Sequence, residues 1–454
     1  MTSAVDVGAL LDRGPWTTYQ KFLTALAALA IIFDGFDIQI LGFVVPSLMN
    51  EWGVSRATLA PVLALGLAGM VVGSPLAGYC GDRFGRRSAL IGTILLFGCA
   101  TAATALAHSV AALAILRFVT GMGAGGALPN ASALAAEFAP ARRRPTAVKL
   151  TVICIPLGGM LGGLIAARVL PALGWRALYC IGGAAPLLFA LALWVLLPES
   201  PRFLARRPSG WAALRRFLKR AGHMAPSDSA FEDNAESHSA DRSPIKTLLG
   251  PAHLSDTAGL WVSFFFCLSA IYLVFGWLPT LLATQGYDVS ATSTGLATYN
   301  FGGVLGMLVW AVLMTALGSR LPLLGGCLAG ALSALATLLI TLQAPAQRPL
   351  LLMAIGLQGL LANAVQTSLY ALAAYVYPTS VRASGVAFAS ASGRVGGLVS
   401  SLFGAAIIGA GVVAYWGAIA VALLFACGGV ALVRSHFPSL QTSRTAEIVG
   451  ATSQ

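Results

Sequence analysis

Charge is what this sequence lacks. Only 10% of its 454 residues are charged, against 57% hydrophobic, and the mean hydropathy is +0.81. A soluble domain carries about 25% charged residues, so this chain has too few to cover a water-facing surface of its size. Paired cysteines are lacking too. The seven Cys are scattered through or beside apolar runs, without a Cys-x-x-Cys pair or a His cluster, and read as small apolar packing residues, not metal or redox ligands. There is no Gly-x-x-x-x-Gly-Lys phosphate loop, no His-Glu-x-x-His zinc pattern and no nucleophile triad. An ATP-driven step and a membrane enzyme are therefore not expected, and no metal or cofactor is called for. Neither tail nor the central loop is long enough to favour a folded signalling domain, which argues against a receptor or scaffold.

What the chain has instead is apolar length. Windows of roughly 20 apolar residues recur along it, each enough to cross about 30 Å of hydrocarbon. Twelve spans are expected: 22–46, 57–79, 88–107, 111–136, 146–170 and 175–197, then 257–284, 292–317, 321–343, 349–375, 384–410 and 411–433. The fold class is thus all-α integral membrane, with twelve transmembrane helices in two pseudo-symmetric six-helix halves, 22–197 and 256–434. A central loop, 198–255, joins the halves, and tails of 1–21 and 435–454 flank them. Residues 1–21 contain Asp6, Asp12, Arg13 and Lys21 and no short apolar core with a cleavage site, so span 1 itself is expected to direct insertion.

The connectors alternate in charge. One set holds "GDRFGRR" (81–87), "ARRRP" (141–145), the central loop, Arg320, Arg382 and the C-terminal tail. The other holds little beyond Glu51, Arg56, His108, Arg168, Arg176, Asp288 and Arg348. Lys and Arg gather on the cytoplasmic side, so the first set and both termini are expected inside. The net charge of +12 is then a topology signal and not a nucleic-acid surface. Within the central loop, "WAALRRFLKR" (211–220) predicts a short basic helix on the anionic inner leaflet. The polar, Pro/Ser-rich stretch 224–244 reads as mobile.

The halves repeat. "ALAAEFAP" (133–140) and "ALAAYVYP" (371–378) occupy the same place in the fourth span of each half, and "LAGYCGDR" (76–83) has a faded counterpart in "LMTALGSR" (313–320). Two such halves suit a carrier that opens a central site to one side at a time.

Against this apolar background, intramembrane charges stand out. "FDGFD" (33–37) places Asp34 and Asp37 in span 1, where a charge costs several kcal/mol. They lie about 60° apart around a helix, roughly 18 and 22 Å from Phe22. Two carboxylates sharing a dry site cannot both ionise cheaply, so one is expected to take up and release a proton. Gly35 between them allows close backbone access and would let span 1 flex. Arg117 enters span 4 from the opposite face, about 9 Å deep, and needs a partner, for which this pair is the obvious choice. The three read as a proton-coupling group; a purely structural ion pair is the bland alternative.

No acid lies inside a span of the second half, where Arg394 is the only cation well inside one, roughly 15 Å deep. A guanidinium so placed can clamp a ligand carboxylate through two parallel hydrogen bonds, although pairing with a first-half Asp stays open. An anionic substrate is implied. Tyr272, Phe275, Tyr299, Asn300, Gln366 and Tyr370 supply rings and polar groups fit to line a binding site. Trp277 belongs either there or in the interfacial belt.

With these residues in view, the chain resembles the major facilitator superfamily over about 22–434. The resemblance is carried by "GDRFGRR" (81–87), "RFVTGMGAGG" (117–126), "PLGGMLGG" (156–163) and "LPESPRFL" (197–204). It implies the major facilitator fold and, in the first loop, a cytoplasmic latch in which Asp82 pairs with neighbouring helix ends. Arg83, Arg86, Glu137 and Arg144 fall in the same zone and are assigned to that gate. The second-half loop reads "LGSRLP", with Ser319 where the first half has Asp82, so no acid's role transfers there. Within the superfamily, "DGFD" resembles the signature of the aromatic acid:proton symporters. That implies proton-coupled import of a benzoate or hydroxybenzoate across a bacterial inner membrane by a monomer, with proton, aromatic acid and lipid bilayer as partners. A muconate-like dicarboxylate, nicotinate or a sugar on the same fold is the alternative.

Overall fold

In hydrocarbon the backbone must satisfy its own N–H and C=O groups, which leaves an apolar segment little choice but the helix. The computed structural model, which describes residues 5–223, 230–233, 247–251, 253–342, 348–377 and 381–439, follows that rule. A two-residue strand β1 (Val5–Asp6) and a short helix α1 (Val7–Arg13) lead into α2 (Thr18–Trp52), α3 (Arg56–Phe84), α4 (Arg86–Thr104), α5 (Val110–Phe138) and α6 (Arg144–Leu196). Two short helices, α7 (Pro201–Ala205) and α8 (Trp211–Arg220), and strand β2 (Phe231–Glu232) follow. Then come α9 (Leu254–Thr284), α10 (Val289–Leu317), α11 (Arg320–Leu342), α12 (Arg348–Val376), α13 (Arg382–Gly409) and α14 (Val412–Leu432).

Among the described residues, 11 helices are long and apolar enough to cross a membrane. The 53-residue α6 breaks at Gly174, whose φ of 77° suits only glycine. Its limbs, 144–173 and 175–196, each reach the length of about 20 residues that a crossing needs, so the twelve expected spans are accounted for. Short polar residues start several of them. Ser109 accepts from the Ala112 amide at the head of α5, and Asp288 from the Ala291 amide at the head of α10.

The chain divides into two compact units, Met1–Ile40 with Leu65–Gly159 and Trp175–Ser239, and Leu41–Ala64 with Met160–Gly174 and Ala240–Gln454. In the first, the glycines of "RFVTGMGAGG" let helices approach backbone to backbone: Gly121 meets Gly66 and Gly125 meets Met70 on α3, while Gly123 meets Phe97 on α4. Gly35 does the same on α2, where a methyl would collide with the Ile155 carbonyl of α6, and Gly158 reciprocates against Ile32. Gly35 is thus a packing glycine inside continuous helix. In the second unit, α13 lies on α9 through Gly393, Gly396 and Gly397, and α10 on α12 through Gly302, Gly306 and Gly359. The segments 41–64 and 160–174 belong here by contact: Gly42 abuts the Phe275 carbonyl and Gly163 abuts Ala297.

The segment called a tail carries structure, and one expectation about α8 needs correcting. The N-terminal stretch is ordered where described: β1 pairs in parallel with β2, Val5 opposite Phe231, and α1 buries Val7 and Leu11 in the same cluster as α8. Helix α8 forms as expected, but Leu214, Phe217 and Leu218 are buried against protein, next to Leu23 and Phe138. Its apolar face is therefore not free for the leaflet. The stretch 224–244 read as mobile lies outside the described residues except 230–233, as do residues 440–454 of the tail.

Candidate functional site

Helix α2 carries Asp34 and Asp37 on one face, and both are buried, at 2% exposure each. Asp37 sits where α2, α4 and α5 meet. Thr101 of α4 donates to its Oδ1 at 2.6 Å. Arg117 of α5 places Nη1 3.5 Å from Oδ2, and its Nη2 donates to the Asp37 carbonyl at 3.2 Å. Arg117 is 5% exposed, so a desolvated guanidinium faces a desolvated carboxylate. Removing one partner of such a pair leaves the other uncompensated. The proximity expected for Arg117 is therefore present, and the ion pair is with Asp37. Tyr179, fully buried on the second limb of α6, feels the charges of both Arg117 and Asp37, and its hydroxyl has no hydrogen-bond partner among the described residues. Neither Thr101 nor Tyr179 was among the expected residues. A hydroxyl in an apolar run carries no charge signal, and only helix rotation brings these two to the pair.

The second unit brings some of its expected residues together. Ser390, Arg394 and Gly397 follow one another at helical spacing along α13. The Tyr370 hydroxyl lies 3.0 Å from Ser390 Oγ, and a methyl at Gly397 would strike the Tyr272 ring, so two tyrosines flank the turn bearing Arg394. From Tyr272 the rings continue edge to face, 5.8 Å to Phe275 and 6.0 Å from there to Tyr299. Asn300 is buried and donates back to the Leu296 carbonyl at 2.8 Å. Gln366, one turn before Tyr370 on α12, is buried at 7% exposure, yet neither end of its amide has a partner among the described residues; the Tyr299 hydroxyl is likewise unmatched among them. Buried polar groups are normally satisfied. Arg394 is half-buried and makes no ion pair with any described residue of its own unit. Trp277 was expected either in the lining or in the interfacial belt. It is fully buried and donates to the Ser401 carbonyl at 3.1 Å beside Gly404.

The loop cluster at the Arg86 end of the first unit is more elaborate than its expected members. Asp82 pairs with Arg86 four residues on, and Arg86 Nε lies 3.9 Å from Glu137. Glu137 accepts from the Ser200 hydroxyl. Arg83 bonds the Tyr79 hydroxyl at 2.6 Å, while its carbonyl accepts from Arg207. Glu199 of "LPESPRFL" was not expected here. It covers Gly85, whose φ of 106° reverses the chain between α3 and α4, and accepts the Arg87 amide at 2.9 Å. Arg144 stands apart from Asp82. It pairs with Asp12 of α1, which also takes Arg202 at 3.1 Å, and Arg202 in turn lies 3.6 Å from Asp233.

The second-half counterpart of that loop carries Ser319 in place of an acid. Ser319 bonds His436 at 2.9 Å and accepts the Phe437 amide at 3.1 Å, while Asp256 accepts the Arg434 amide and the Ser435 hydroxyl. Burial and the nearby Arg320 hold the His436 imidazole below the usual histidine range. No cluster of three or more potential metal ligands occurs among the described residues.

Comparison with known proteins bears on this arrangement. The gallate transporter of Pseudomonas putida is 33% identical over 90% of both chains. The 4-hydroxybenzoate transporter PcaK of the same organism is 34% identical, again over 90% of each. A solved structure of the xylose transporter XylE from E. coli, in an inward open conformation, superposes with a TM-score of 0.72, covering 92% of this chain and 97% of that one. At 21% identity this likeness speaks for the fold alone. The family model named Major Facilitator Superfamily matches residues 27–348 and again 260–451. This multi-pass membrane chain therefore belongs to the major facilitator superfamily and has its fold.

Proposed function

We propose that the protein is a secondary active transporter importing a small aromatic carboxylate together with a proton, by exposing one site alternately to the two sides of the membrane. The Asp37–Arg117–Thr101 cluster is the observation that carries this reading. An acid and a base held together without water can exchange a proton for an ion pair. With Asp37 ionised, Arg117 is neutralised; with Asp37 protonated, the guanidinium is released to an incoming anion or to a changed helix packing. Asp34, buried one turn earlier, shares the role. The driving force is the ion gradient, about 2.3 kcal/mol per charge for each 100 mV.

Arg394 is the group that takes the substrate carboxylate, and Tyr272, Phe275, Tyr299 and Tyr370 furnish the ring environment. The two relatives are named for gallate and 4-hydroxybenzoate, both aromatic acids with ring hydroxyls. The unmatched amide of Gln366 and the Tyr299 hydroxyl suit such a hydroxyl, which favours a hydroxybenzoate over a dicarboxylate or nicotinate, while the cationic Arg394 favours an acid over a sugar. The cluster of Asp82, Arg83, Arg86 and Glu137 acts as the cytoplasmic gate, with Glu199 as a further member and Arg144 holding the N-terminal helix. Membrane placement follows the distribution of Lys and Arg: a bacterial inner membrane, both termini inside, the halves 22–197 and 256–434 joined by the loop 198–255, acting as a monomer.

The test is uptake of labelled 4-hydroxybenzoate by purified protein in vesicles. Accumulation should follow an imposed inward proton gradient and collapse with a protonophore. Accumulation that persists at full level without the gradient would overturn symport, and no uptake of any aromatic acid would overturn the substrate class.

A further inference from the structure

Four cations line one cleft in the first unit, with no carboxylate to spare among the described residues. The cleft has a volume of about 990 Å³ and is bounded by Asp12, Arg13, Gly14, Trp16, Lys21, Pro140, Arg142 and Arg143. Its cations come from three elements: Arg13 ends α1, Lys21 sits in the first turn of α2, and Arg142 and Arg143 form the 3-10 turn Ala141–Arg143 between α5 and α6. Asp12 is the only acid in the wall, and it is already held by Arg144 and Arg202. None of the four cationic side chains makes a hydrogen bond or ion pair among the described residues; Lys21 lies 6.0 Å from the centre of the Trp16 ring. Ordinary surface cations point apart into water, whereas these converge on a concavity where their mutual repulsion favours a bound anion.

The position selects the anion. Phe22, directly after Lys21, is half exposed and begins the apolar surface of α2. Trp16, packed on Ala135, Ala139 and Ala147, stands where an indole marks the boundary between water and lipid. An anion carried by the bilayer itself reaches such a cleft while its chains stay in hydrocarbon. We propose that the cleft formed by Arg13, Trp16, Lys21, Arg142 and Arg143 binds the phosphodiester headgroup of an anionic phospholipid. The headgroup stitches α1, the start of α2 and the 141–143 turn together. The site is separate from the transport reading and does not depend on it.

The experiment uses the full chain in a mild detergent, titrated with short-chain phosphatidylglycerol, with phosphatidylcholine, or with inorganic phosphate, and read by native mass spectrometry of bound lipid. Phosphatidylglycerol should bind in preference to phosphatidylcholine. The double variant Arg142→Gln/Arg143→Gln should lose about thirtyfold in affinity, since each cation near an anionic headgroup contributes roughly a factor of five. A control, Arg216→Gln/Arg220→Gln on the exposed face of α8, removes the same charge elsewhere and should change affinity less than about twofold, as for cations remote from the headgroup. Equal losses in the two double variants would overturn the site in favour of diffuse charge attraction. Equal binding of phosphatidylcholine would remove the anion preference. Phosphate alone displacing the lipid at millimolar concentration would reassign the cleft to a soluble anion. Melting of each variant without lipid is measured first, and these exposed substitutions should leave it unchanged.

Discussion

Arg117 and Arg394 are both guanidiniums within membrane spans, and the protein treats them in opposite ways. Arg117 is closed in, with Asp37 as ion-pair partner and its backbone carbonyl as a second acceptor. Arg394 is half-buried, flanked by tyrosines, and has no ion-pair partner among the described residues of its own unit. On the proposed reading, the first arrangement holds a charge that a proton can cancel, and the second offers a cation to an anion brought from outside. That division between switching and recognition is open to test by substitution.

The largest effect should come from Asp37→Asn, which leaves Arg117 buried and uncompensated at about 3–5 kcal/mol. Gradient-driven accumulation of 4-hydroxybenzoate should fall at least about a hundredfold, a loss of roughly 3 kcal/mol, while counterflow exchange survives. Full accumulation by both Asp37→Asn and Asp34→Asn would remove the switch from the first unit. Next, Arg394→Gln should weaken binding of the same acid by about ten- to a hundredfold, the range for a charged hydrogen bond of 1.5–3 kcal/mol. Arg394→Lys should recover only part, because an ammonium cannot reproduce the planar fork. Unchanged affinity in either variant would return Arg394 to a structural role.

A smaller and more selective effect is expected from Gln366→Leu. Affinity for 4-hydroxybenzoate should drop about tenfold, near 1.4 kcal/mol, while benzoate binding stays level; a parallel loss for both acids would mean that the amide only packs. Smallest of all is the effect at the tail. His436 titrates below its ordinary value of 6.5 when docked, so the docked form binds fewer protons than the released one around that pH. Docking is thus at full strength above about pH 6.5 and weakens as pH falls through that value toward the docked one. Hydrogen exchange at the Phe437 amide, which donates to Ser319, should accelerate in that window, and a flat profile would separate the histidine from the docking.

Much of the fold was legible because hydropathy belongs to a segment and needs no neighbour. The break at Gly174 was legible in the same way, since 146–170 and 175–197 read as separate spans. The rarity of intramembrane acids singled out Asp34 and Asp37 at once, and the pairing with Arg117 followed from depth. What escaped notice was uncharged or distant. Thr101 looked like any span hydroxyl, and Glu199 sat 112 residues from the amide it accepts. Arg144 was assigned to the gate by its closeness in sequence to Glu137. Its partner is Asp12, 132 residues away, because a segment read as a tail folds back as a helix.

By itself, then, the sequence determined that this is a polytopic membrane protein with its mid-span acids in one helix and most of its cations along one set of loops. Each of those properties is a local transfer free energy, summed along the chain. Only the tertiary structure decided which acid Arg117 meets, which tyrosines flank Arg394, and that four cations share one cleft. Those outcomes depend on how each helix is rotated about its axis and where it crosses its neighbours, and that geometry arises only when glycine-lined backbones lock together.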